Sequence, residues 1–352
     1  MRALKIVGAV VGAVVAVAGV AFGLYCDNNL HAEERTIAQA FGAGYTEKQA
    51  GLNGWVINYA EGPNSGPALM LVHGQGVEWE DYATVLPELA KRYHVFAVDC
   101  FGHGESADDP SLFSCATNGD ALISFAAQVI GGDYIVSGHS SGGILAAYIA
   151  SHDAAHVTAC VLEDPPLFRV TPAEAQENAG TFAWYDGYIV AHSFLQQSEV
   201  TAYPAWYASH SYLFGLFGGL QKMLAEQTAA FCAEHPGEHA VNAFVPRAWT
   251  RGMYFMDDWD PRFGDSFYDG SWMAGIDQEE TLRQISCPVI YVKASTNYGD
   301  DGVLYAATTD EDAQRIQQTI PNCRTVELES GHDIHVEHPD VFVSAVDEAA
   351  AQ

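Results

Sequence analysis

An α/β fold with a mostly parallel sheet covered by helices on both faces is predicted by three observations. Short β-rich runs alternate with stretches of helical spacing. That rhythm breaks once, over a long aromatic block, and then resumes. A glycine-flanked serine pair, "GHSSG", stands where one of the β-rich runs gives way to a helix.

The elements follow in chain order. "MRALKIVGAVVGAVVAVAGVAFGLY" carries Arg2 and Lys5 and then an uncharged run from Ile6 to Tyr25, long enough to span a bilayer core as a helix. Residues 1–25 are therefore expected to form a signal anchor or transmembrane helix, with its basic end in the cytoplasm and the rest of the chain outside. A cleaved signal followed by secretion is the rival expectation. Residues 26–50 read as a polar, partly helical tether. "WVINYAEG", "PALMLVHG" and "HVFAVDCFG" are strands, with a helical "YATVLPELAKRY" between the last two. A helical stretch near Ala121, the strand "DYIVSG", a helix from Gly142 and the strand "VTACVLED" come next. The aromatic block contains "FAWYDGYIVAHSF" and "YPAWYASHSYLFGLFGGL" and has weak strand character. "CPVIYVKAS", a helix near "DEDAQRIQQTI", the strand "CRTVELES" and a last helix from Pro339 then restore the alternation. The organisation expected is one core, residues 51–166 and 286–352, with an inserted, mainly helical lid over residues 167–285.

Composition narrows the partners. Asp+Glu outnumber Lys+Arg by 45 to 15, and the resulting charge of −30 repels phosphate backbones, so no nucleic acid partner is expected. Seven cysteines in 352 residues do not form a disulfide framework. Cys100 and Cys160 read as small buried hydrophobes. Cys287 and Cys323 each precede a strand, and a disulfide between them is left open.

The serine pair is the sharpest signal. "GHSSG" matches Gly-x-Ser-x-Gly in one frame only, and that frame selects Ser140. Gly138 and Gly142 lack the Cβ that would crowd a tight strand-to-helix turn. Ser141 opens the helix, where a free N–H and the positive end of the dipole favour a developing oxyanion.

From about Leu52 to the end the chain resembles the α/β-hydrolase family. "LVHGQG" looks like its His-Gly loop, which implies that Gln75 lends a backbone N–H to an oxyanion hole together with Ser141. "VDCFGHGES" is similar to its Asp-x-x-Gly-x-Gly-x-Ser segment, which makes Asp99, Gly102, Gly104 and Ser106 structural residues near the rim. "SGHDIHVEHP" looks like its terminal Gly-His segment and implies that His332 is the general base. The resemblance also implies that the aromatic block is the lid.

The third triad member departs from the family pattern. A carboxylate must fix the tautomer of the histidine, and the usual position after "PVIYVKAS" holds Asn297. Asp300 and Asp301 follow in the loop. Asp164, at the end of the preceding strand, is the leading candidate, with Glu163 ranked below all three. His332, His335 and His338 recur every three residues, but Pro339 disfavours one regular helix across them, so no metal is expected. His335 and His338 read as polar residues entering the last helix.

The function expected is cleavage of carboxylic esters through an acyl-enzyme on Ser140, without a cofactor. The substrate is a small-molecule ester or acyl compound with an apolar group. Arg169, Arg247 and Arg251 are the cations that could offset the acidic surface for an anionic one. A carbon–carbon bond hydrolase, a cofactor-free perhydrolase, or a hydrolase-like binding module without turnover are the alternatives. A serine at the elbow argues against the halide- and epoxide-opening relatives, which use aspartate there.

Overall fold

The computed structural model describes the backbone of residues 2–352 and the side chains of residues 16–352. Its centre is an eight-stranded sheet in the order β1-β2-β4-β3-β5-β6-β7-β8. β1 (Thr46–Leu52) and β2 (Trp55–Glu61) form an antiparallel hairpin, closed by Asn53 and Gly54, both at positive φ. An Asn-Gly pair reaches that left-handed conformation at low cost, which suits a two-residue turn. β4 (His94–Val98) pairs antiparallel with β2 and parallel with β3 (Ala68–Val72). β5 (Tyr134–His139), β6 (Val157–Glu163), β7 (Val289–Ala294) and β8 (Cys323–Leu328) continue in parallel.

The sheet is covered on both faces, as the alternation of elements predicts. In β3, Met70 and Val72 join an apolar cluster on one face with the helix Ser141–His152, while Leu69 and Leu71 join the cluster on the other with the C-terminal helix Pro339–Ala350. Period-two alternation of side chains produces this split, and burial on both sides explains why β3 is apolar throughout. The segment between β6 and β7 carries the short helices Tyr203–His210, Gly219–Glu234, Arg247–Tyr254 and Pro261–Tyr268.

Two expectations change here, and the open question of a disulfide closes. The N-terminal helix runs from Arg2 to Gly42, so residues 26–50 are not a tether: they complete this helix and form most of β1. Asn29, Glu33, Ile37 and Ala40 recur at helical spacing and are buried against the body of the protein. The expectation of a single-pass membrane protein with an extracytoplasmic domain is also corrected. Among the described residues no helix is long and apolar enough to cross a membrane. The side chains of the first fifteen residues lie outside those described, and from Asp27 onward the helix is polar and docked. Finally, Cys287 and Cys323 are free thiols, and burial pushes them up to about 11 and about 12.

Candidate active site

The site lies at the C-terminal ends of β3, β5 and β6. Ser140 follows β5 directly and adopts φ 55° and ψ −123°, a strained combination for a residue with a side chain. The flanking glycines permit it. A Cβ on Gly138 would fall 2.0 Å from the Gly142 carbonyl oxygen, and one on Gly142 would fall 2.2 Å from that of His73. The Ser140 N–H donates to the Glu163 carbonyl at 2.9 Å, which ties the turn to the end of β6.

The loop after β3 is held by two buried histidines. The Nε2 of His73 accepts from the Cys100 N–H at 2.9 Å, so its Nδ1 carries the proton and donates to the Gly74 carbonyl at 2.7 Å. His103 likewise accepts from the Gly76 N–H at 3.0 Å. Burial lowers the basicity of both, His73 to about 4, so each is a neutral acceptor. Gln75 stands between them, and its Nε2 donates to the Gly187 carbonyl of the inserted segment at 3.0 Å. Among the described residues the backbone N–H groups of Gln75 and Ser141 donate no hydrogen bond, the latter because it opens a helix.

Below this loop Asp99 accepts from the Trp79 N–H at 2.7 Å and from Asn58 Nδ2 at 2.8 Å, while Ser106 Oγ donates to its carbonyl at 2.8 Å. Gly102 and Gly104 both have positive φ, and a Cβ on Gly104 would strike the Asp99 carboxylate. His103 was not singled out in the sequence. Its position inside "FGHGES", beside the His-Gly loop, was the available signal.

Asp164 is the carboxylate brought to His332. It follows β6 directly with φ 40°, is fully buried, and takes His332 Nδ1–H on Oδ2 at 2.7 Å and the Ala294 N–H on Oδ1 at 3.2 Å. Burial depresses the basicity of His332, but the Asp164 hydrogen bond and charge outweigh it and leave the ring above its ordinary value. Asp301 instead meets the Tyr212 hydroxyl at 2.6 Å, Asp300 is exposed in the same loop, and Asn297 donates to the Ser295 carbonyl at 3.3 Å. The three histidines of the terminal segment go to different places. His332 meets Asp164, His338 precedes the last helix, and His335 is enclosed between Glu163 and Asp81. His335 is thus not the polar helix-entry residue expected, and Asp81 was not anticipated at all.

Ser140, Ser141, Gln75 and His332 line one cavity with about 850 Å³ of open space including its mouth. Its wall is largely apolar, with the aromatic Phe182, Tyr188, Trp259 and Phe267 among the lining residues. Burial pushes the Asp186 carboxyl in that wall up to about 7. Arg169 also reaches the wall, but its Nε donates to Asp312 at 2.7 Å. Arg247 and Arg251 are turned toward the N-terminal helix, where both meet Glu33.

The sequence model described as "Alpha/beta hydrolase family" matches residues 69–345. The chain belongs to that family. Over 109 residues it is 35% identical to a soluble epoxide hydrolase of Corynebacterium sp. strain C12, a match covering 30% of this chain and 36% of that one. Over 144 residues it is 32% identical to Lipase LipV of Mycobacterium tuberculosis, covering 35% and 53%. The chain spans about a third of the length of the first curated relatives it matches. Among solved structures it resembles a bacterial membrane phospholipase A, with TM-score 0.56 and 18% identity over 100% of both chains, a likeness of fold.

Proposed function

We propose that this hydrolase-family chain cleaves uncharged carboxylic esters through an acyl-enzyme on Ser140. The observation that carries the reading is the 2.7 Å contact between His332 Nδ1 and the buried Asp164, on the wall of the same cavity as the strained Ser140. With Nδ1 committed to Asp164, Nε2 is the basic nitrogen. It takes the hydroxyl proton as Ser140 Oγ attacks the ester carbonyl. The free N–H groups of Gln75 and Ser141 receive the oxyanion. His332 then protonates the departing alkoxide. In the second half it deprotonates water, which releases the acid and restores the Ser140 hydroxyl.

The cavity supports a preference for apolar acyl or aromatic groups. Among the described residues Arg169 is the one cation on its wall, and it is paired, so an anionic substrate finds no free counter-charge. A serine at the elbow, where epoxide-opening relatives use aspartate, favours acyl transfer over epoxide opening. A p-nitrophenyl ester series tests the reading. Turnover that rises from acetate to medium-chain esters and vanishes in S140A supports it, whereas a folded wild type with neither turnover nor acylation rejects it.

A further inference from the structure

Beside the cavity lies a buried charged network that the reaction does not use. His335 is wholly buried, and one oxygen of Glu163 accepts both its backbone N–H at 2.7 Å and its Nδ1–H at 2.8 Å. On the other side of the ring, Nε2 stands 3.1 Å from Asp81 Oδ2. The remaining Asp81 oxygen accepts from Arg251 at 2.6 Å, and Arg251 with Arg247 meets Glu33 of the N-terminal helix. His139 adds a third hold on the loop, since its Nε2 donates to the His332 carbonyl at 3.1 Å.

We propose that His335 is a positioning residue: a buried imidazolium clamped between Glu163 and Asp81 that fixes the loop carrying His332 over Asp164. The catalytic consequence rests on the ester-hydrolase reading, while the charge state stands independently of it.

Charge balance supports the imidazolium. Glu33, Asp81 and Glu163 are three buried carboxylates, and Arg247, Arg251 and a protonated His335 are three cations in contact with them. A neutral His335 would leave one buried carboxylate uncompensated, which is costly. The Asp81, His139 and His335 nitrogen and oxygen atoms lie close enough to suggest a divalent cation. Such an ion would add charge to a network already balanced, and Arg251 occupies the outer side of Asp81. The groups facing His335 are Glu163, Asp81 and His139, with Tyr82 at 4.7 Å between ring centroids, and Arg251, His332 and Asp333 one contact further out. Burial opposes its charge, but Glu163 and Asp81 overcome that and raise it to about 10. Burial is the largest influence on His139, with His332 and His335 adding to it and Glu163 and Asp81 opposing it, and the ring falls to about 3 and is neutral.

The geometry also links sequence neighbours to one another. Glu163 ends β6 and Asp164 follows it, the two turning to opposite sides, so each anchors one histidine of a single loop. Loss of one anchor lets the other histidine drift, and a displacement of about 1 Å costs on the order of 100-fold in rate.

The test uses the full chain labelled with ¹⁵N-histidine. At pH 8 the His335 ring, assigned by its absence in H335Q or, where that variant does not fold, in H335N, is expected to show the imidazolium pattern, and a neutral pattern overturns the proposal. In H335Q, kcat is expected to fall about 10- to 100-fold with KM little changed. The acid limb of kcat/KM should move to higher pH, because a cation near His332 is lost. A folded H335Q with wild-type kcat and acid limb overturns the positioning role. Should H335Q fail to fold, E163Q serves, and His335 is then expected to titrate well below about 10 in the ring spectrum; an unchanged titration contradicts the clamp. An inactive wild type with an intact imidazolium signal would instead reject the ester-hydrolase reading alone.

Discussion

Two acid–histidine pairs stand side by side in this protein and have opposite characters. Asp164–His332 opens on the cavity, with the histidine side chain 22% exposed, whereas Glu163–His335 is sealed, with both side chains at 0%. The carboxylates are adjacent in sequence and the histidines three apart, so strand alternation and one turn of loop create both pairs. What separates them is access and charge. His332 has one buried carboxylate and a path to substrate, so its proton can be exchanged. His335 has two carboxylates and no path, so its proton stays. In this account, chemistry falls to the pair that a cavity reaches, and the other becomes part of the frame.

The largest effect expected from breaking this contrast comes from the nucleophile: S140A should reduce kcat about a million-fold, measured by ester hydrolysis of the purified full chain. D164N should reduce kcat about ten-thousand-fold with the fold retained, because it removes the acceptor that sets the His332 tautomer. A D164N variant with near-wild-type rates would reassign the acid.

The pH dependence sharpens the contrast further. His332 must be neutral to act as base, and Asp164 holds it above the ordinary imidazole value of about 6.5. Activity is therefore expected to fall as pH drops through a point above that value, read as the acid limb of kcat/KM. The stability contributed by His335 runs the other way. Its native value is raised to about 10, so that contribution is complete below the unfolded value near 6.5 and is lost as pH rises through about 10. Denaturant midpoints between pH 7 and pH 10.5 should fall more steeply in the wild type than in H335Q. The smallest effect belongs to D301N, which should change kcat less than about two-fold, since Asp301 contacts Tyr212 at the surface rather than His332.

Much of this arrangement was readable in the sequence. The alternation of strands and helices predicted the sheet, and the frame of "GHSSG" with the terminal "SGHDIH" selected Ser140 and His332, which line one cavity. The acid was only ranked, because Asp164 at a strand end and Asp301 in the loop after β7 both fit until that loop is seen to turn toward Tyr212. The clamp was less legible still. Asp81 lies in a short 3₁₀ segment after the His73-Gly74 loop, far in sequence from His335, and nothing local marks it. The docked N-terminal helix was missed differently. Asn29, Glu33, Ile37 and Ala40 form a helical stripe, but its polar members hid it until Arg247 and Arg251 supplied their partners.

The central claim is tested most directly by intact-mass spectrometry of the wild type, quenched early in the hydrolysis of a p-nitrophenyl ester and followed by peptide mapping. An adduct of the acyl mass on Ser140 that forms in a burst and decays with turnover is the expected result. Turnover without such an adduct, or an adduct on another residue, would contradict the acyl-enzyme account.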